Sequence, residues 1–265
     1  MMADSRYGKK RLIAVCGKGG TGKTASIALM TRALAEHPET GNLLLIDADP
    51  AMGLLSALGV QVRKTMGEVR ESIILTSKRG KSEDKANIGN MLDYMIFEAL
   101  TELDRFSVLA MGRTETLGCF CPVNTLLRNA IEALADNFDT VLIDCEAGLE
   151  QINRQVVKEL QTLLVISDPS SRGMETAAMI RKMIVEDRVI RCDKVRLVFN
   201  RVRGNEEYLR ESAATLEIEL AGLVPFDENI AQFDLVGKPI TDLPSDSPSL
   251  ESYRRIVADC ILAEG

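Results

Sequence analysis

Residues 17–24 read GKGGTGKT, a glycine-rich run of the form G-x-x-x-x-G-K-[ST]. It follows the apolar stretch LIAVC and precedes the helix-like stretch TASIALMTRALAE. That order gives the run its chemistry. Gly17, Gly19, Gly20, Thr21 and Gly22 form a loop whose backbone N–H groups can wrap a phosphate. The helix opening at Lys23, Thr24 and Ala25 adds the positive end of its dipole. In such a loop Lys23 contacts the β- and γ-phosphates and Thr24 a magnesium ion. Carboxylates end two further apolar runs: Asp47 and Asp49 in IDADP, and Asp144 in TVLID. Asp47 and Asp49 are two residues apart, so on an extended chain they leave the same face. Ligands gather at the carboxyl ends of parallel strands, which aims both at the nucleotide. Asp144 stands where a carboxylate holds the nucleotide's metal through water. The chemistry expected is phosphoryl transfer.

These residues need elements to position them. Short apolar runs predict strands over 11–16, 42–47, 107–111, 140–144, 162–167 and 194–200, with 219–225 a seventh. Several are apolar almost throughout, as strands covered on both faces are. Between them lie helical patterns over 23–36, 88–103, 123–137, 172–187 and 248–263. The alternation predicts an α/β fold, a doubly wound domain with a mostly parallel central sheet flanked by helices. The hydrophilic stretch 77–87 reads as a solvated loop, so 1–265 is taken as one domain. In a chain of 265 residues, 46% hydrophobic and 27% charged, a sizeable core is expected.

Charge and cysteine usage narrow the partners. The 32 Lys and Arg against 39 Asp and Glu give a net charge of −7, which argues against a surface built to hold nucleic acid non-specifically. No apolar run reaches the ~18 residues of a membrane span, and the start MMADSR carries no signal-peptide core. A cytoplasmic protein with reduced thiols and no membrane or nucleic-acid partner is expected.

Lys18, directly after the first glycine, is a second lysine in the loop. With it the sequence resembles the deviant-Walker-A ATPases, the group that includes MinD, ParA and the nitrogenase iron protein. The resemblance implies a homodimer in which Lys18 reaches across to the partner's phosphates. It also implies that Asp49 in switch I orients the attacking water and that Asp47 acts near magnesium. The run after Asp144, Cys145-Glu146-Ala147-Gly148, would be switch II, with Gly148 free to swing towards the γ-phosphate. Asn200, followed by Arg201 at the end of VRLVFN, would read the adenine edge, since its amide both donates and accepts. Pro225 in GLVPFD would flank the base. No guanine-reading N-K-x-D occurs at Asn200, so ATP and ADP are the expected ligands.

The client must be read elsewhere. Cys119 and Cys121 form a C-x-C pair in LGCFCPVN. Six cysteines scattered at random would give some C-x-C about one time in seven, so the spacing alone decides little. A two-fold dimer would supply four thiolates around its axis, a set suited to zinc, nickel(II), copper(I) or an iron–sulfur cluster. Residues 111–128 (MGRTETLGCFCPVNTLLR) and 144–154 (DCEAGLEQINR) resemble the CooC-type ATPases. These mature nickel-dependent carbon monoxide dehydrogenase, and a related factor serves acetyl-CoA synthase. The resemblance implies a dimer bridging Ni2+, or Zn2+, through Cys119 and Cys121, with one of those enzymes as client. Phe120 and Ala51 depart from the family's usual tyrosine and polar residue.

Two other readings belong to different classes. An iron-protein-like reductase would share a 4Fe–4S cluster between subunits, but its ligands come from separate loops and not from a C-x-C. A MinD- or ParA-like positioning ATPase would need a basic amphipathic tail or a DNA-binding face. The ending YRRIVADCILAEG and the acidic balance disfavour both. Cys16 reads as core, Cys145 as buried packing or a switch II residue coupled to the nucleotide, Cys192 as part of a charged turn and Cys260 as part of the last helix. His37 reads as a surface residue.

Overall fold

Strand and helix residues sort by which face of a sheet they bury. A computed structural model describes residues 10–79, 92, 94–113, 121–145, 156–157 and 159–263. Eight strands form one sheet: β1 (Arg11–Cys16), β2 (Leu43–Asp47), β3 (Leu100–Glu102), β4 (Ser107–Ala110), β5 (Thr140–Asp144), β6 (Glu159–Ser167), β7 (Arg191–Val202) and β8 (Glu219–Pro225). Their order is β3-β4-β2-β5-β1-β6-β7-β8, and every pair is parallel except β3 with β4.

Helices cover both faces. They are α1 (Lys23–Glu36), α2 (Gly53–Leu58), α3 (Met66–Arg79), α4 (Cys121–Ala135), α5 (Ser171–Val185), α6 (Glu206–Thr215), α7 (Glu228–Leu235) and α8 (Pro248–Val257), and residues 94–99 are helical as well. The period-two alternation of the strands divides the core accordingly. Ala14, Leu44, Ile46, Val141 and Ile143 pack with Ile73 of α3, Ile131 of α4 and Ile180 of α5. Ile13, Val15, Leu43, Leu45 and Leu142 pack on the other side with Ile27 and Leu34 of α1, Leu54 of α2 and Tyr253 of α8. The chain is a single α/β domain, as its alternating pattern predicts.

Some local expectations differ from what forms. The helix expected over 88–103 stops short, and Leu100–Glu102 instead pairs with β4 as an antiparallel edge strand, Leu100 opposite Leu109. The hairpin turn closes through Leu103 N–H to Phe106 O at 3.0 Å, so pairing on the sheet edge overrides the helical pattern. The expected solvated loop 77–87 begins inside α3; residues 80–87 lie outside the described residues. α3 starts at a reciprocal cap, where Glu68 Oε2 accepts Thr65 N–H at 2.7 Å and Thr65 Oγ accepts Glu68 N–H at 3.3 Å. The last expected helix divides at Val257, where a π-helical turn over Ala258–Leu262 takes over.

α8 is anchored to the helix that carries the phosphate loop. Tyr253 is 1% exposed and donates its hydroxyl to Ser26 Oγ, which in turn donates to Gly22 O at 2.8 Å. Burial pushes the Tyr253 phenol far above its ordinary range, so it stays a donor. Tyr253→Phe should therefore cost about 1–2 kcal/mol by leaving Ser26 without its donor. In urea unfolding this would lower the midpoint without changing the slope.

Candidate nucleotide site

Parallel pairing in register sets the site. Asp47 lies opposite Asp144 in the β2–β5 ladder, and Asp144 lies opposite Val15 in the β1–β5 ladder. The two carboxylates therefore sit side by side at the strand ends where β1 passes into the phosphate loop. Asp47 is fully buried and Asp144 is 2% exposed. Asp47 Oδ1 accepts the Asp49 N–H at 3.1 Å, whereas Oδ2 is buried without a hydrogen-bond partner of sound geometry. The backbone amides of Leu54 and Leu55, in the first turn of α2, face Asp47 and offset a little of its burial. Burial pushes Asp47 up to about 7 and Asp144 to about 8. Asp49 adds repulsion at Asp47, and Asp47 adds it at Asp144, while Lys23 pulls Asp144 back.

Two adjoining buried carboxylates, one with an orphaned oxygen, fit a hard divalent cation such as magnesium. Thr24 borders the start of α2. A Cβ built on Gly53, the first residue of α2, would lie 3.9 Å from the Thr24 hydroxyl oxygen. Among the described residues no group of three or more His, Cys, Asp or Glu side chains forms a metal site.

The loop itself is braced from β7. Asn200 Nδ2 donates to Thr21 O at 2.8 Å and Arg201 Nη1 donates to Gly20 O at 2.9 Å. Two loop carbonyls that would repel a phosphate are thereby satisfied by donors. Gly22 N-caps α1 in the left-handed conformation at φ 90°, with no side chain capping the helix and no acidic residue in its first turn. Gly22 has no room for a side chain, because a Cβ there would come within 2.6 Å of Asn200 Nδ2. Inside the loop, Thr21 is buried and its hydroxyl donates to Lys18 O at 2.9 Å; Lys23 Nζ donates to the same carbonyl at 3.4 Å. Gly17 is buried, Gly19 and Gly20 are exposed at the crest, and Ala25 is half-buried in the first turn of α1.

The other expected residues fall as follows. Asn200 is 5% exposed, with its amide oxygen taking the Arg201 N–H at 3.0 Å, so both ends of the expected adenine reader have protein partners here. Pro225 ends β8 opposite Val202, and its carbonyl accepts the Ser249 hydroxyl at 3.2 Å. Asp49 folds over the Asp-Pro turn, accepting the Ala51 N–H at 2.8 Å. Lys18 Nζ lies 4.0 Å from Asp168 Oδ2, both side chains about one-third exposed. Asp168, just past the end of β6, is not singled out by sequence reasoning; its one sequence signal is the neighbouring Ser170, which N-caps α5 and donates to Asp168 Oδ1. Gly148 and Cys119 lie outside the described residues, and Cys121 is described only as the first residue of α4.

The other cysteines are core or strand residues. Cys16 and Cys145 are fully buried, and burial raises the Cys16 thiol to about 12 and drives Cys145 well above its ordinary value. Cys192 belongs to β7 instead of a charged turn, and Cys260 is buried in the π-helical turn. His37 is half-buried at the end of α1, where its Nδ1 accepts the Glu39 N–H at 3.3 Å. No described helix is long and apolar enough to cross a membrane.

A braced phosphate loop between strand and helix, beside two buried carboxylates, defines a P-loop nucleotide-binding protein. Residues 12–240 match the CobQ/CobB/MinD/ParA nucleotide-binding domain, and the chain belongs to that family of ATP-binding proteins. An uncharacterised ATP-binding protein of Methanocaldococcus jannaschii is 39% identical over 250 residues, covering 92% of this chain and 95% of its own. The carbon monoxide dehydrogenase accessory protein CooC of Rhodospirillum rubrum is 29% identical over 248 residues, covering 87% and 89%. The septum site-determining protein MinD of Pyrococcus horikoshii, solved with Mg-ADP, shares the fold with a TM-score of 0.67 at 21% identity, covering 95% and 96%.

The paired carboxylates carry a pH signature. Their folded pKa values lie near 7 and 8 against an ordinary 3.8, so the folded protein retains protons that an unfolded chain has released. The stabilisation this gives is complete below about pH 4 and is lost as pH rises towards 8. In chelator, thermal unfolding should show stability falling across that window, and Asp144→Asn should flatten the fall. Equal slopes in the two proteins would contradict the assignment.

Proposed function

We propose that the protein is an ATP-hydrolysing homodimer that binds nickel and assists its insertion into nickel-dependent carbon monoxide dehydrogenase or acetyl-CoA synthase. The observation that carries the ATPase half is the meeting of the braced loop with buried Asp47 and Asp144. The nickel half is supported by the Cys119-Phe120-Cys121 pair and by similarity along most of the chain to an accessory protein of carbon monoxide dehydrogenase.

In this reading the loop N–H groups and Lys23 hold the β- and γ-phosphates, and Asn200, Arg201 and Pro225 border the base. Thr24, Asp47 and Asp144 would hold magnesium, which would supply neutralising charge to the phosphate oxygens. Asp49 orients the water that attacks the γ-phosphate, giving ADP and phosphate. Lys18 gives up its contact with Asp168 and stabilises the transferring group in the partner subunit, a contact worth most where water is excluded. That exchange is inexpensive, because a partly exposed ion pair at 4.0 Å contributes little. ATP draws two copies together and gathers four cysteine sulfurs near the axis, where nickel is the cargo. Loss of the γ-phosphate relaxes Gly148 and the switch segments and reopens the dimer.

Two measurements test the halves separately. Lys18→Ala should lower ATP turnover by about 10²–10³-fold while leaving ATP binding largely intact; full turnover would refute the trans role. Equilibrium dialysis of nickel against wild type and a Cys119→Ala/Cys121→Ala variant should show one nickel per dimer, lost in the variant. No nickel bound in any nucleotide state would leave a metal-free ATP switch.

A further inference from the structure

Switch I is joined to α4 by a continuous set of bonds that ATP chemistry does not itself require. The β2–β4 ladder runs past its end, with Met111 N–H donating to Asp47 O at 2.8 Å. Arg113 Nε donates to Pro50 O at 3.3 Å. Residues 111–113 thus hold switch I at two points, one at the metal-binding carboxylate's own backbone and one at the Asp-Pro turn.

α3 grips the same three residues from the other side. Gly67 N–H donates to Met111 O at 2.8 Å. The approach is so close that a Cβ on Gly67 would lie 2.3 Å from Arg113 O, which explains a glycine in the first turn of a helix. One turn further along α3, the side chain of Arg70, 7% exposed, donates through Nε to Asn124 Oδ1 in α4 at 3.0 Å. Asn124 lies three residues into the helix that begins at Cys121. A buried guanidinium held by an amide oxygen is a directional contact, costly to break and therefore able to transmit a displacement.

We infer that residues 111–113, Gly67 and the Arg70–Asn124 contact form a relay that makes the position of α4 depend on the occupant of the nucleotide site. Arg70, Asn124 and Gly67 are positioning residues, since none of them touches the phosphate loop. The inference rests on the ATP site of the proposed function and is independent of its nickel half. It supplies what that function needs, a route from the γ-phosphate end of the site to the helix bearing the second cysteine. The relay runs through packed side chains and backbone bonds between rigid elements, the kind of network that carries coupling.

The test is amide hydrogen exchange over residues 124–131 of α4, with and without a non-hydrolysable ATP analogue and magnesium, alongside the analogue's affinity. In wild type the analogue should slow exchange there by about two- to thirtyfold. Asn124→Leu should abolish that change while binding the analogue as tightly as wild type. Asn124→Asp, which keeps an acceptor for Arg70, should retain it; a merely structural role would not give this rescue. Gly67→Ala, which attacks the relay at its other end, should also abolish the change. An unaltered response in Asn124→Leu, or no response in a wild type that binds the analogue, would overturn the relay. Failure of wild type to bind the analogue would overturn the ATP reading and the relay together.

Discussion

The in-register alignment of β1, β5 and β2 at the middle of the sheet is the constraint on which the site depends. It brings Asp47 and Asp144 level with each other and with the start of the phosphate loop. A register slip of one residue would turn either carboxylate to the opposite face of the sheet. Since both faces of β2 are apolar, the slip is opposed by close packing, with Leu44 and Ile46 fitted into one core layer and Leu43 and Leu45 into the other. The energy that fixes the chemistry is thus ordinary apolar burial, distributed over strands that contain no functional residue except at their ends. The carboxylates themselves work against that arrangement and are tolerated because the ladders determine their positions.

The loop is stabilised from a second direction. Asn200 and Arg201 come from the end of β7, two strands away from β1, and fasten the carbonyls of Thr21 and Gly20. Arg201 adopts φ 59°, an uncommon backbone conformation for a side chain of this size, and its guanidinium reaches Gly20 from there. Tyr253 reaches the same region from beneath through Ser26 and the Gly22 carbonyl. Two distant parts of the chain, the end of β7 and α8, thus converge on the loop's carbonyls. The N-terminal amides of α1 meet no side-chain cap, the polarity an anion requires.

Much of this was legible in the sequence, and the omissions have physical causes. β1 and β8 have the boundaries their apolar runs predict, and the flanks of GKGGTGKT place the loop without ambiguity. Asp47 and Asp144 could be located because each closes an apolar strand. The grip of Asn200 on Thr21 could not, since a contact spanning 179 residues leaves no local pattern. α7 escaped notice because it buries no residue and so carries no apolar period. α2 has six residues, too few for a period to register. α3 was readable in principle, since Thr65-Met-Gly-Glu68 has the spacing of a capping box. β3 is a tertiary effect, a helical pattern recruited to the edge of a sheet by β4.

The carboxyl ends of β2 and β5 are built differently from the apolar sheet behind them. Around the middle of the sheet, buried apolar side chains interlock in two layers. At the carboxyl ends of β2 and β5 the balance reverses. Asp47 keeps an orphaned oxygen, Asp144 is buried against it, and Met52 is held at φ 52° at the start of α2. Each of these is a local cost that the rest of the fold must carry. All three lie at the carboxyl ends of β2 and β5 or in the turn that leads into α2. Were Asp47 and Asp144 to hold a cation, its charge would offset their repulsion and the orphaned oxygen would gain a partner. Ligand binding energy would then enter where the structure carries that cost. The bonds from Asp47 and Pro50 to residues 111–113 begin at that same place.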